Sequence, residues 1–206
     1  MSGKRDPIDD RELVERVRAG HRYAFNVLVW KWEKRIYNLA LRMLGSEEDA
    51  AEVCQEVFLK AYTHIHDFRG DAQFATWLYR IAINCCRNRL RRRRRQRRVI
   101  ADVVWSEAWT PGAIDPPTVD AETRIHQAML MERVQQALLQ LPEEQRMVIE
   151  LRILQDCSVD EVAQIMGIPP GTVKSRLFYG IRRLRDLLKD VVPSPSHSPE
   201  RPEKPA

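Results

Sequence analysis

Residues 158–188 read SVDEVAQIMGIPPGTVKSRLFYGIRRLRDLL. Ser158 and Glu161 have the spacing of a capping box, in which each side chain satisfies a backbone N–H of the first helical turn. Val159, Val162, Ala163 and Met166 then give a short helix one apolar face. Gly167 supplies the positive backbone angle that ends such a helix. Ile168 can plug the core under the turn, and Pro169 and Pro170 prevent the first helix from continuing. A second helix opens at Gly171-Thr172, with Val173, Leu177, Ile181, Leu184 and Leu188 facing inward. Thr172, Lys174, Ser175, Phe178, Tyr179 and Arg182 keep an outward component. A capped helix, a glycine turn and a basic second helix are the pattern of a DNA-binding helix-turn-helix, whose second helix fits the major groove. The bland alternative is a helical hairpin with a wet face.

The same punctuation divides the rest of the chain. Residues 10–98 hold no proline and have glycine only at Gly20, Gly45 and Gly70. Residues 99–120 carry Pro111, Pro116 and Pro117, and the end, VVPSPSHSPERPEKPA, is rich in proline and serine. No useful run alternates apolar and polar residues as a half-buried strand would. The expected fold is therefore all-α. Two small helical domains, 10–98 and 121–190, are joined by a flexible linker, 99–120, and followed by a disordered Pro-rich tail, 191–206. In the first domain, helices are predicted from about Asp10 to Ala19, from after Gly20 to a stop at Gly45, from Glu47 to about His64 and from Phe74 into an arginine block. Ser46 caps the third, with Asp49 placed to return the bond. Phe74, Trp77, Leu78 and Ile81 form an apolar stripe on the fourth. The second domain starts with a helix near 121–140, broken at Leu141-Pro142, and continues with helices at about 143–154, 158–166 and 171–189.

Charge is more informative by position than by total. The net charge is +5, yet residues 87–98, RNRLRRRRRQRR, contain nine arginines. The block lies beside an acidic stretch, 101–123, that lacks Lys and Arg. A run of this kind is either a solvated face or the footprint of a polyanion, and nucleic acid is the expected partner. No apolar run approaches the roughly 20 residues a membrane-crossing helix needs. The N-terminus has no apolar leader segment, so a cytoplasmic protein without direct membrane insertion is expected. Cys54, Cys85, Cys86 and Cys157 form no CxxC pair and no Cys/His set with zinc-site spacing, so buried, inert thiols are expected. Paired carboxylates, a Gly-rich phosphate loop and a nucleophile–base pair are also missing. No metal, no cofactor and no enzymatic role are expected.

Three stretches carry a resemblance. HDFRGDAQFATWLYRIAINCCRNRLRRRRR resembles the promoter-melting and minus-ten-reading region of the sigma-70 family, within it the compact extracytoplasmic-function (ECF) group. EEDAAEVCQEVFLKAY resembles that family's helix for docking on the polymerase beta-prime clamp. LPEEQRMVIELRILQDCSVDEVAQIMGIPPGTVKSRLFYGIRRLRDLL is similar to its minus-thirty-five-reading domain. The resemblance implies a sigma factor that binds core RNA polymerase at the beta-prime clamp and beta flap, directs initiation at promoter DNA, and is held by an anti-sigma factor. It implies polymerase contacts at Asp49, Glu52, Gln55 and Glu56. It implies minus-ten contacts at Asp67, Phe68, Arg69, Gly70, Asp71, Thr76, Arg80, Asn84 and Arg87. It implies minus-thirty-five contacts at Arg152, Thr172, Val173, Lys174, Ser175, Arg176, Phe178, Tyr179 and Arg182.

The residues fit those roles. Asp49, Glu52, Gln55 and Glu56 stand opposite Val53 and Val57, an acidic stripe suited to a basic partner. A base that leaves the stack needs a pocket and hydrogen bonds to its edge, which the loop 66–71 can supply. Thr76, Arg80, Asn84 and Arg87 form the polar face of the next helix, while Phe74 and Trp77 read as core. Two rival readings stay open. A classical helix-turn-helix regulator explains the second domain but not the arginine-bearing helix after FRGDAQFATW. A nucleic-acid enzyme lacks any site chemistry.

Overall fold

The computed structural model describes residues 9–68, 70, 72–99 and 121–189, and every regular element among them is helical. α1 spans Asp10–Arg18, α2 Arg22–Leu44, α3 Glu47–His64 and α4 Phe74–Val99. α5 spans Ala121–Leu139, and α6 spans Glu143–Ile149 and widens into a π-turn, Glu150–Leu154. α7 spans Val159–Met166 and α8 Pro170–Leu187. The predicted linker lies outside the described residues except for Val99, and the Pro-rich tail lies outside them entirely, as do Arg69 and Asp71 of the loop.

In the first half, α2 is the central helix. Leu28, Ile36, Leu39 and Met43 on it are fully buried, each worth about 1.5–3 kcal/mol over exposure. Asp10 ties α1 to this helix, accepting from Trp32 Nε1 at 3.2 Å and pairing with Lys31 at 2.7 Å. Gly45 ends α2 with φ +67°, and Ser46 caps α3 by accepting from the Asp49 N–H at 3.3 Å. Asp49 does not return that bond as expected. Its carboxylate is drawn instead to Arg89 and Arg93 of α4.

α4 departs from its predicted stripe. Phe74 and Leu78 are buried, but Trp77 and Ile81 are only partly so. The buried face turns toward Tyr79, Ala82, Ile83 and Cys86. The cause is a second cover. Besides α2 and α3, α7 from the C-terminal half also packs against α4. The two halves thus share one continuous apolar core, which runs from Leu13 to Val173.

The helix-turn-helix forms as its punctuation dictates. Ser158 Oγ accepts from the Glu161 N–H at 3.2 Å, and Glu161 Oε2 accepts from the Ser158 N–H at 2.7 Å. Gly167 ends α7 at φ +66°. α8 opens one residue earlier than expected, because Pro170 at its first position has no N–H to leave unpaired. Ile181, expected inward, is 43% exposed. The contact with α6 is made by Gly180 instead, where an added Cβ would lie 2.9 Å from Ile149 Cδ1 and 3.3 Å from Gln145 Cβ. Gly180→Leu is therefore expected to wedge α6 from α8 and destabilise the protein by about 2 kcal/mol, the cost of overpacking. Thermal unfolding against wild type measures it, and an unchanged Tm would mean that the helices part freely.

Candidate nucleic-acid and protein interfaces

Along α3, Glu52, Gln55 and Leu59 lie on one exposed face, with Leu59 68% exposed and Tyr62 beside it. Glu52 pairs with Arg89 at 2.6 Å and half-buried Glu56 with Lys60 at 2.6 Å. The Lys60 hydrogen bond holds the Glu56 carboxyl below its usual range. Asp49 does not share this face. It is 6% exposed, clamped beneath Arg89 and Arg93, so it is not available to a partner. Helical spacing placed it beside Glu52, but spacing could not reveal two arginines arriving from forty residues away.

Two other expected contacts are also buried. Phe68 packs against Trp77 and Phe74, with ring centroids 5.3 and 6.1 Å away, and is core rather than a surface for a base. Thr76 is 6% exposed. At about 100° per residue it lies within about 20° of Ile83, so it turns inward with that residue. The outward face of α4 is carried by Arg80, Asn84 and the half-buried Arg87. Asp67, held by His64 at 3.1 Å, and Gly70 are exposed in the loop before it.

On α8, Lys174, Ser175, Phe178, Tyr179 and Arg182 are exposed in one row, with Thr172 half-buried at its start. Phe178 and Tyr179 meet edge to face at 5.4 Å. Ser175 Oγ donates to the Thr172 carbonyl at 3.0 Å, which leaves its lone pairs free to accept. Val173 is fully buried and holds the helix down; it cannot touch DNA. Arg176 pairs with Glu144 at 2.7 Å, and Arg152 lies 3.7 Å from Asp156.

All four cysteines are buried and free. Burial pushes the thiols of Cys54 and Cys85 up to about 11 and that of Cys157 to about 12, and raises Cys86 as well. They stay protonated near neutral pH. Among the described residues no group of three or more His, Cys, Asp or Glu side chains could hold a metal ion, and no helix is long and apolar enough to cross a membrane.

The family profile described as Sigma-70 region 2 matches residues 28–96, and that described as Sigma-70, region 4 matches residues 131–184. An RNA polymerase sigma-H factor of Pseudomonas aeruginosa is 40% identical over 188 residues, covering 89% of this chain and 95% of that one. The chain belongs to the sigma-70 family. This sigma factor falls in the ECF group. The ECF RNA polymerase sigma-E factor of Escherichia coli is 38% identical over 188 residues, 91% of this chain and 96% of that one. CnrH, solved in complex with the cytosolic domain of CnrY, is 25% identical, with a TM-score of 0.65 over 91% of this chain and 100% of that one. The sigma factor therefore serves promoter-specific transcription initiation, with a region 2 and a region 4 in the order its motifs predict.

Sequence reasoning missed Leu59, Glu144, Arg42 and Glu150. Leu59 was legible as an apolar residue on a polar helix face. The other three matter through partners distant in sequence, which spacing alone does not reveal.

Proposed function

We propose a division of labour for this sigma factor. The first half, 10–98, docks on core polymerase through Glu52, Gln55 and Glu56, with Leu59 as the apolar centre of that face. Arg80, Asn84 and Arg87, continued by the arginine block, follow the minus-ten element and its melted strand, and the loop 66–71 receives an unstacked base. The second half, 121–190, reads the minus-thirty-five element with Thr172, Lys174, Ser175, Phe178, Tyr179 and Arg182, while Arg152 and Arg176 serve phosphates. The sigma factor catalyses nothing by itself and works in the cytoplasm. Its regulator is an anti-sigma factor, the kind of partner seen in the complex of the sigma factor RpoE with the anti-sigma factor NepR from Bartonella quintana. The observation that carries this reading is the exposed row on α8 above a buried Val173.

Run-off transcription with core polymerase on a promoter library tests the whole. Defined start sites that require the protein are expected. A footprint by the isolated protein with no effect on run-off would make it a classical regulator instead.

The geometry of α8 sharpens one expectation. Because the Ser175 hydroxyl donates to Thr172, it can accept from an amino group, on cytosine N4 or adenine N6 in the major groove. Ser175→Ala is expected to relax preference at one or two upstream positions by about 1–3 kcal/mol. Lys174→Ala is expected to weaken binding evenly across sequences and to lower the salt slope by about 1. Holoenzyme binding to upstream variants at several salt concentrations distinguishes the two. Unchanged preference in the Ser175→Ala protein would place Ser175 off the bases.

A further inference from the structure

Arg18, the last residue of α1, stands 47 positions before Ile65, yet its half-buried side chain ends there. Its Nε donates to the Ile65 carbonyl at 3.2 Å and its Nη2 to the His66 carbonyl at 3.3 Å. Its guanidinium carbon lies 5.9 Å from the centroid of the Phe68 ring. Ile65 is the C-cap of α3, so its carbonyl is among those a helix leaves unpaired at its end. A cation at that end also meets the negative pole of the helix dipole. Arg18 thus touches Ile65, His66 and Phe68, the root of the loop 66–71.

The bracket is firm on both sides. On α1, Leu13, Val14 and Val17 are buried, and Asp10 fastens the far end of the helix to Trp32 and Lys31. At the loop, Ile65 is fully buried and Phe68 closes on Phe74 and Trp77. The Ile65 carbonyl also accepts from the Phe68 N–H at 3.4 Å, and the His64 carbonyl accepts from the Asp67 N–H at 3.0 Å. Farther out, Gly70 adopts φ +80° and has no neighbour within 4 Å of where a Cβ would stand. The exposed part of the loop takes its direction from its root. A receiving loop that is ordered beforehand binds more tightly than one that must order on binding. The planar fork of an arginine can serve two successive carbonyls at once, whereas the ammonium of a lysine is a single point.

We propose that Arg18 is a positioning residue for capture of the unstacked minus-ten base: through it, α1 holds the root of the loop 66–71 in the receiving conformation before DNA arrives. This role rests on the reading of that loop given above. Arg18 acts through the Ile65 and His66 carbonyls and touches no base or phosphate itself.

The test is holoenzyme binding to single-stranded oligonucleotides of either minus-ten strand, taken from a promoter found by run-off, with each base replaced in turn by an abasic site. The wild type is expected to lose affinity sharply at one position, that of the captured base. Arg18→Ala is expected to bind the intact strand about tenfold more weakly, the worth of one charge-assisted hydrogen bond, and to lose nothing further at that position. Its losses at other positions, its salt slope and its affinity for a minus-thirty-five duplex stay as in wild type. Arg18→Lys recovers part of the affinity. In the free chain, amide exchange at Asp67 and Phe68 quickens in Arg18→Ala while α2 stays protected. If Arg18→Ala loses helix content by circular dichroism, Arg18→Gln serves in its place. Unchanged affinity for the intact strand, equal weakening at every position, or a salt slope lowered by about 0.7, the mark of a direct phosphate contact, would overturn the positioning role. If the wild type loses affinity at one position and Arg18→Ala loses as much there, the loop captures a base without Arg18, and only this role falls. If no abasic position costs the wild type affinity, the loop receives no base, and the reading of the loop falls together with the role.

Discussion

Glu52→Lys combined with Glu56→Lys is expected to lower the affinity of the sigma factor for core polymerase by roughly a hundredfold, about 3 kcal/mol. The face that carries these residues has the composition of a docking surface. Exposed carboxylates and an amide flank Leu59, an apolar side chain left in water. A basic partner surface would gain little from each carboxylate singly, but reversal sets like charges against each other, and that costs several kcal/mol. The fold itself loses little. Glu52, Glu56 and Lys60 are about half exposed, though Arg89 is only about a quarter so, and an exposed ion pair contributes about 0–1 kcal/mol. Arg89 keeps Asp49 in any case. Titration of labelled sigma factor with core polymerase reads the effect, with circular dichroism as the folding control. Unchanged affinity would remove α3 from the docking surface.

Asp49→Ala is expected to act in the opposite sense, on stability and not on docking. Removing the carboxylate leaves Arg89 and Arg93 facing each other, both partly buried, over an empty acceptor position. Breaking a buried pair from one side costs about 3–5 kcal/mol, and the partial exposure of the arginines puts the expectation near about 3 kcal/mol. The join between α3 and α4 is weakened, and the urea midpoint falls. The fraction that remains folded binds core polymerase as wild type does, because Asp49 touches no exposed surface. A variant of normal stability that fails to bind polymerase would return Asp49 to the interface.

What could be read from the sequence divides along one physical line. Features fixed within a few residues were legible: the capping box of Ser158 and Glu161, the left-handed glycine at 167, and the end of the second helix at Gly45. Features fixed by a partner far along the chain were not. Tyr79 is buried because Trp32 of α2 stacks on its ring and Gln155 takes its hydroxyl, and Asp49 turns inward because two arginines reach it. Phe68 fails as a surface residue because it closes on Phe74 and Trp77 just beyond the loop, and Thr76 because its helical phase turns it inward with Ile83. Of the residues expected to dock, Glu52 and Gln55 are exposed and Glu56 is half-buried, with exposed Leu59 beside them. The reading helix kept its outward row and lost Val173, whose inward direction the apolar spacing had already indicated.

The π-turn from Glu150 to Leu154 gives this lineage a short route to change. Glu150 C=O accepts from the Gln155 N–H at 3.0 Å, a bond five residues long, and the side chains of the same two residues meet above it. In a regular α-helix, positions five apart point about 140° away from each other. The widened turn is what stacks Gln155 over Glu150 and aims it at Tyr79. Substitutions that return these same residues to regular α-helical winding would swing Gln155 off Tyr79 and leave Lys174, Ser175, Glu52 and Gln55 untouched. The packing between the two halves is thus separable by inheritance from the exposed rows on α3 and α8, and selection can adjust one without rewriting the other.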